Sequence, residues 1–294
     1  MEEQIEQFVT YLKRVKGLTG NTVLSYQQDL QLLRQYLEKE QGITDFQEAA
    51  PGHLEAYFRI LGQQKKPSTM SRHMCSVRAL YRYLVKMHLV REDITEQLQV
   101  PRQHWELPEI LTEEEVKALL EQPSGDKPLQ MRDRAILELM YATGVKVSEL
   151  VAIKVSDVNL RLGFLHCGES GRERVIPFGN SARAALLQYL DIGRETLLAG
   201  VYSEILFVNR NGCAMSRQGV WKLIRKYGEQ AGIQKEVNPH SLRHAFAAHL
   251  IENGADLQSV QEMLGHTDIA ATQIYAAACH NKIREEYSRI HPRG

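Results

Sequence analysis

The sequence has few cysteines, no long apolar run and no net charge. Its four cysteines lie far apart and form no CxxC pair, so neither a zinc ribbon nor a disulfide framework is indicated, and we expect reduced thiols. No segment has eighteen consecutive apolar residues, and the first seventeen residues lack a basic leader followed by an apolar run. This pattern excludes a membrane-spanning helix and a secretory signal in the sequence given. We therefore expect a cytosolic protein without a membrane partner.

The composition is that of an ordinary globular protein. Its 294 residues are 43% hydrophobic and 24% charged, which is enough chain to bury two separate cores. The 36 basic and 36 acidic residues cancel, which by itself argues against a nucleic-acid partner. The distribution of the charges is more informative than their sum.

One segment, residues 59–91, contains eight lysines and arginines and no acidic residue. A solvated basic face is one interpretation. The other is a DNA-binding surface, because hydroxyl groups are mixed with the cations, as on surfaces that contact phosphates. On the second interpretation the predicted DNA contacts are Lys65, Lys66, Ser68, Thr69, Arg72 and Arg78.

The first hundred residues show helical periodicity throughout. Apolar residues recur at spacings of three and four in four segments separated by glycine or proline, which predicts a small helical bundle over residues 1–100. Two prolines and little periodicity follow, which predicts an extended linker over residues 101–111. A second domain is predicted over residues 112–294.

The second domain is predicted to be mainly helical with one β-hairpin. Thr112 and Glu115 have capping-box spacing at the start of a helix, and Gly144 is a natural helix stop. Two apolar runs flank a glycine-rich turn in residues 163–179, which indicates the hairpin. Helical patterns resume at residue 180 and continue to the C-terminus. The predicted fold class is thus mainly α with a small β-hairpin or sheet.

The segment HSLRHAFAAHL, residues 240–250, combines an apolar stripe with basic side chains. Its apolar residues recur every four positions, while His240 and Arg243 share a different edge of the helix. Asn238 and Pro239 suit a helix start, where backbone N–H groups favour a bound anion. His240 and His244 have the spacing of a zinc pair, but no glutamate stands between them and no third ligand is evident, so we predict no metal.

The order of these motifs resembles that of the tyrosine recombinases, and among them the Xer-type site-specific recombinases of bacteria. H-x-x-R ends at Arg243, LGH ends at His266, and Tyr275 follows nine residues later. The resemblance covers essentially the whole chain, including YATGVKVSELVAIKVSDVNL, residues 141–160, which resembles the start of the family's catalytic core. It implies an N-terminal, SAM-like DNA-clamping helical domain and a mixed α/β catalytic domain.

The resemblance also implies a reaction. Tyr275 would attack a DNA phosphate and remain attached to it as a 3′-phosphotyrosine, which conserves the bond energy without a metal or cofactor. Arg243 would offer parallel donors to the charged phosphate oxygens. His240 and His266 would donate to the same phosphate or exchange protons with it.

Two positions depart from the family pattern. Lys146 occupies the place of an arginine in the TG-x-R-x-S-E-L segment, and a lysine expected in the hairpin turn is matched by Glu169. Lysine keeps the charge but not the bidentate fork of arginine, and an ionised glutamate cannot protonate the leaving 5′-oxygen. Arg172 is the nearest cation to that turn, but its pKa is too high for ready proton donation. These departures predict reduced activity.

Three functions remain open on this evidence. We favour a site-specific recombinase that acts in chromosome-dimer resolution or mobile-element integration. A catalytically impaired DNA-binding paralogue, or a partner of an active recombinase, is the first alternative, and an enzyme like the type IB topoisomerases is the second. Further predicted DNA contacts are Arg172, Arg174 and Arg217.

The resemblance implies an assembly as well as a reaction. The expected partners are double-stranded DNA with paired half-sites and a homo- or heterotetramer on that DNA, joined by a second recombinase and an activator protein. The amphipathic C-terminal tail, residues 281–294, is expected to dock into a neighbouring subunit.

Overall fold

A computed structural model describes residues 1–18, 20–98, 109–168 and 173–265. The chain divides into two compact units, Met1–Trp105 and Glu106–Gly294. Most of the predicted linker lies outside the described residues, so its extended conformation stays a prediction.

The N-terminal unit is built from four helices, as the apolar periodicity predicts. A short 3₁₀ turn, Phe46–Glu48, precedes the third helix. Each helix buries one apolar stripe in a common core, which contains Phe8, Leu33, Leu54 and Leu80. The helices are α1 (Glu2–Arg14), α2 (Gly20–Glu40), α3 (Pro51–Gln64) and α4 (Pro67–Lys86).

A buried carboxylate crosslinks this bundle. Asp29 of α2 is 1% exposed and accepts hydrogen bonds from three residues of α4: Arg72 at 2.6 Å, Ser76 at 2.8 Å and His73 at 2.9 Å. The other ring nitrogen of His73 contacts the Tyr57 hydroxyl of α3 at 3.2 Å. One acidic side chain therefore connects three of the four helices through polar contacts.

The second unit contains the remaining helices and a small sheet. The capping box predicted at Thr112 and Glu115 is confirmed, because each side chain accepts the other's backbone N–H. Gly144 ends a helix in the left-handed conformation, at φ +59°. The helices are α5 (Glu113–Glu121), α6 (Pro128–Thr143), α7 (Val147–Leu150), α8 (Asn180–Gln188), α9 (Glu195–Leu198), α10 (Arg217–Gln230), α11 (Pro239–Glu252) and α12 (Leu257–Leu264).

The predicted hairpin is present as two paired strands. Strand β2 (Phe164–Cys167) pairs antiparallel with β3 (Arg174–Pro177), and Cys167 lies opposite Arg174 at the turn end. A two-residue strand, β1 (Val158–Asn159), adds to β2 and completes a three-stranded sheet. Sequence periodicity cannot reveal so short a strand. The prediction of a mainly α fold with a small sheet is confirmed.

The helical pattern predicted across residues 180–198 is interrupted. A π-helical turn, Tyr189–Arg194, separates α8 from α9. Within it, a β-carbon on Gly193 would lie 3.2 Å from the Pro128 carbonyl and the Met131 side chain, so a larger residue would require α6 or the turn to shift by a few tenths of an ångström. Local hydropathy does not encode that contact.

The Asp29 cluster predicts a local stability effect. Asp29→Ala leaves the buried His73 ring nitrogen without its acceptor and Ser76 with only the Arg72 carbonyl, and a buried donor left unsatisfied costs about 1–3 kcal/mol. Hydrogen exchange of α2 and α4 amides should therefore quicken by the corresponding factor. Glu38→Ala is the control, because its ion pair with Arg34 is exposed and such pairs contribute about 1 kcal/mol or less. Equal effects from the two variants would contradict this role for Asp29.

Candidate active site

Helix α11 begins where the sequence indicates, and its first residue is Pro239. The Asn238 side chain caps it by accepting the backbone N–H groups of His240 and Ser241, at 2.8 and 3.1 Å. The cap takes two of the N–H groups that the sequence offers to an anion. An anion at this helix end would therefore be bound mainly by side chains.

Arg243 is buried at the centre of the site. It is 5% exposed, although arginine is almost never fully buried without partners. One guanidinium nitrogen donates to the Gly144 carbonyl and the other donates to the Leu264 carbonyl at 2.6 Å. The same side chain thus connects the segment after α6 to the end of α12, one residue short of the LGH histidine.

Lys146 lies beside this connection. It follows Gly144 by two residues, its side chain is exposed, and its backbone N–H donates to Glu149 at 2.8 Å. Glu149 in turn forms a bidentate ion pair with Arg174 of β3, with both N–O distances 2.9 Å. The segment that carries Lys146 is therefore connected to the base of the hairpin.

The buried groups of the site have shifted ionisation. Burial favours the neutral form of Glu149, but hydrogen bonds from Arg174 and the Lys146 backbone outweigh burial and lower the pKa of this carboxyl. Burial and the nearby Glu149 charge raise the pKa of the Cys167 thiol to about 11. Cys167 therefore stays protonated near neutral pH, and the thiolate needed for nucleophilic chemistry is absent.

The three histidines of α11 have different environments. His240 is exposed at the first turn, with its ring centroid 6.3 Å from that of His244. Burial, His240 and Arg243 lower the pKa of His244 to about 4, so His244 is neutral at physiological pH. His249 is buried between the Tyr141 hydroxyl and the Leu111 carbonyl, each at 2.9 Å, which indicates a packing role.

The structure brings together part of the predicted catalytic set. Arg243 and the Lys146 segment meet at one end of α12, and His240 lies on the first turn of the same helix as Arg243. The positions of four predicted residues lie outside the described part of the chain: Glu169, Arg172, His266 and Tyr275. Their roles stay predictions.

Several predicted DNA contacts have protein partners. Arg72 pairs with buried Asp29, Arg78 donates to the Leu98 carbonyl at 2.7 Å, and Arg174 pairs with Glu149. In contrast, Lys65, Lys66 and Ser68 are exposed around the start of α4, Thr69 is half-buried there, and Arg217 is exposed at the start of α10. The exposed group fits a phosphate-binding surface better than the paired arginines do.

Sequence reasoning missed Glu149 and its pairing with Arg174. Both residues stand in segments that the motif comparison had already singled out, YATGVKVSEL and GRERV. Neither hydropathy nor spacing shows that two charged residues 25 positions apart would be paired away from water. Only the packing of β3 against α7 and α12 reveals the pair.

Two further properties describe the residues that the structure shows. Within them, no group of three or more histidine, cysteine, aspartate or glutamate side chains could hold a metal ion. None of their helices combines the length and hydrophobicity that crossing a bilayer requires.

The ionisation of His244 predicts a pH dependence of stability. Its folded-state pKa of about 4 lies below the ordinary value of about 6.5, so the unfolded chain binds the proton first as the pH falls. Native stability should therefore decrease between pH 6.5 and 4. His244→Gln should show a smaller decrease in melting temperature over that range, whereas exposed His166→Gln should match the native chain. Identical pH profiles for all three proteins would contradict the assignment.

Comparison with known proteins places this geometry in a family. The Phage integrase family matches residues 109–282, and the phage integrase N-terminal SAM-like domain matches residues 5–88. The chain is 39% identical over 295 residues to the tyrosine recombinase XerD of Halalkalibacterium halodurans, covering 100% of this chain and 99% of the relative.

Solved structures share the fold. The XerH site-specific recombinase bound to palindromic difH substrate in a post-cleavage complex has a TM-score of 0.79 at 21% identity, over 97% of this chain and 84% of XerH. A lambda integrase tetramer bound to a Holliday junction has a TM-score of 0.72 at 19% identity, over 93% and 76% of the two chains. The resemblance seen in the sequence is confirmed: this chain belongs to the phage integrase family, the tyrosine recombinases.

Proposed function

We propose that this protein is a site-specific DNA recombinase that cuts and rejoins DNA strands through a 3′-phosphotyrosine intermediate. The full-length identity to XerD supports this activity. Of the two roles that the resemblance implies, it also favours chromosome-dimer resolution over mobile-element integration.

The burial and bonding of Arg243 is the observation that carries the proposal. Its guanidinium is held by the Gly144 and Leu264 carbonyls, so it is fixed before any substrate arrives. A preorganised cation in a site of low dielectric stabilises developing phosphate charge far better than a mobile one does. Arg243 also lies where the segments that carry Lys146, His240 and LGH meet, which supports a catalytic role in addition to a structural one.

The proposed chemistry follows from this arrangement. The Tyr275 oxygen attacks the phosphorus and gives its phenolic proton to a histidine of the site or to water. The bond to the 5′-oxygen breaks, and that oxygen takes up a proton from solvent or a neighbouring donor and leaves as a 5′-hydroxyl. Arg243 and Lys146 bear the positive charge that the phosphate oxygens need, and exposed His240 can donate from the first turn of α11. The 5′-hydroxyl of a partner strand then attacks the phosphotyrosine and releases Tyr275.

The departures at Lys146 and Glu169 bear on the rate of this reaction. Lys146 can supply charge from its exposed position but only as a point donor. If Glu169 occupies the leaving-group position, protonation of the 5′-oxygen is slow. We therefore retain the prediction that the native chain cleaves slowly, with a DNA-binding protein without chemistry as the alternative outcome.

The proposed partners are double-stranded DNA with paired half-sites and three further recombinase subunits. The difH complex of XerH and the Holliday-junction tetramer of lambda integrase support this assembly by shared fold. A second recombinase, an activator and docking of residues 281–294 into a neighbour belong to the same proposal. The tail itself lies outside the described residues.

Removing exposed charges at the start of α4 should test DNA binding. Each phosphate contact contributes about 0.9 to the slope of log K against log salt, so Lys65→Ala with Lys66→Ala should flatten the slope by about 1.8. Lys13→Ala with Lys39→Ala, at exposed lysines in the last turns of α1 and α2, is the charge-matched control. The measurement is half-site affinity over a salt series. A slope unchanged by the double variant at Lys65 and Lys66 would exclude these lysines as phosphate contacts.

A covalent-trap assay should test the chemistry. On a nicked suicide substrate the native chain should form a covalent adduct that Tyr275→Phe abolishes. Loss of one positioned donor costs about a hundred- to a thousandfold in rate, so Lys146→Arg and Glu169→Lys should each accelerate trapping. A 5′-phosphorothiolate strand, whose leaving group needs no protonation, should speed the native chain and remove most of the gain from Glu169→Lys.

Two outcomes of that assay would contradict the proposal. If the native chain binds half-sites but forms no adduct on either strand, it is a DNA-binding protein that does not cleave. A native chain as fast on the ordinary strand as the double variant would show that neither departure limits the reaction.

A further inference from the structure

Most of the hydrogen-bond donors of Arg174 are bonded to protein groups and are therefore not available to DNA. Both terminal nitrogens bind the two oxygens of Glu149, and its Nε donates to the Met263 carbonyl at 2.6 Å. The side chain is only 12% exposed. Three of its donors are thus directed inward, so few remain for a phosphate.

The bonds of Arg174 run parallel to those of Arg243. Arg174 binds the carbonyl of Met263 and Arg243 binds that of the next residue, Leu264. A β-carbon on Gly265, which has φ +63°, would lie 3.0 Å from the Arg174 guanidinium. The two arginines therefore fix two consecutive peptide groups, 263–264 and 264–265, at the end of α12.

Arg174 also fixes the other catalytic segments. It lies opposite Cys167 as the first paired residue after the hairpin turn, so it anchors the base of the turn that carries Glu169. Its partner Glu149 accepts the Lys146 backbone N–H with the same Oε2 atom that binds Arg174. The hairpin, the Lys146 segment and the end of α12 are thereby joined at one guanidinium.

We propose that Arg174 is a positioning residue of the strand-cleavage reaction, which fixes β3, Glu149 and the end of α12 relative to Arg243. This inference rests on the proposed function. It requires the planar fork of arginine, since a lysine at this position can neither pair bidentately with Glu149 nor reach the Met263 carbonyl with a second fixed donor.

The test separates positioning from DNA contact. Arg174→Lys keeps the charge, and misplacement of catalytic groups by about 1 Å costs about 100-fold in rate. The single-turnover rate of adduct formation at saturating DNA should therefore fall by up to that factor. Half-site affinity and its salt slope should not change. Arg161→Lys, at an exposed arginine of the same unit, should match the native chain in rate, affinity and slope.

Hydrogen exchange provides a readout that does not depend on activity. The amides of Leu264 and Gly265 should exchange faster in Arg174→Lys than in the native chain or Arg161→Lys, because one of the two arginine contacts at this helix end is weakened. Glu149→Gln, which keeps the shape of the pair but removes its charge, should shift exchange and rate in the same direction by a smaller factor. This second variant serves if Arg174→Lys fails to fold.

The outcomes discriminate between the hypotheses. In Arg174→Gln, which removes the charge, a salt slope reduced by about 0.9, with the rate at saturating DNA unchanged, would overturn the proposal and make Arg174 a phosphate contact. If the native chain forms no adduct, the proposed function fails, and exchange at Leu264 and Gly265 alone decides: faster exchange supports positioning, whereas unchanged exchange overturns it.

Discussion

The last carbonyls of a helix have no partners within that helix, and the candidate active site depends on how those of α12 are satisfied. Arg174 and Arg243 bind two consecutive carbonyls at this negative end of the helix dipole, where cations are favoured. The helix end needs the donors, and the arginines need acceptors in order to be buried. Because both needs are met together, the peptide groups from Met263 to Gly265 have a fixed position.

The burial of the groups around these arginines, together with their bonds to the arginines, determines their ionisation. Glu149 stays ionised because Arg174 and a backbone N–H outweigh the cost of removing its charge from water. The Cys167 thiol and the His244 imidazole stay neutral for the same reason of limited solvation. Among the described residues, the Glu149 carboxylate is neutralised by Arg174, and Cys167 and His244 add no charge beside Arg243.

The N-terminal unit uses the same principle for a different purpose. The acid-free run of residues 59–91 predicts a basic DNA-binding face, yet one of its arginines, Arg72, binds a buried carboxylate and another, Arg78, binds a backbone carbonyl. The basic residues of this run are thus of two kinds: some are exposed to solvent, and others are bonded to protein groups. Asp29, which determines one of these assignments, stands 43 residues from Arg72 in the chain, so a local charge count cannot distinguish the two kinds.

The sequence by itself determined the elements and the chemistry, because periodicity, capping residues and motif order are local. It predicted the four N-terminal helices, the hairpin, the Thr112 capping box and the helix start at Asn238. It also indicated Arg243 and, through family resemblance, Tyr275 and His266. Only the tertiary structure decided which charged groups face the protein, as the Arg72–Asp29 and Glu149–Arg174 pairs show. The close approach of Gly193 to α6 likewise arises between segments distant in the chain. A charged pair is held in one geometry when it is buried, and burial depends on how distant segments pack. No local sequence pattern predicts it.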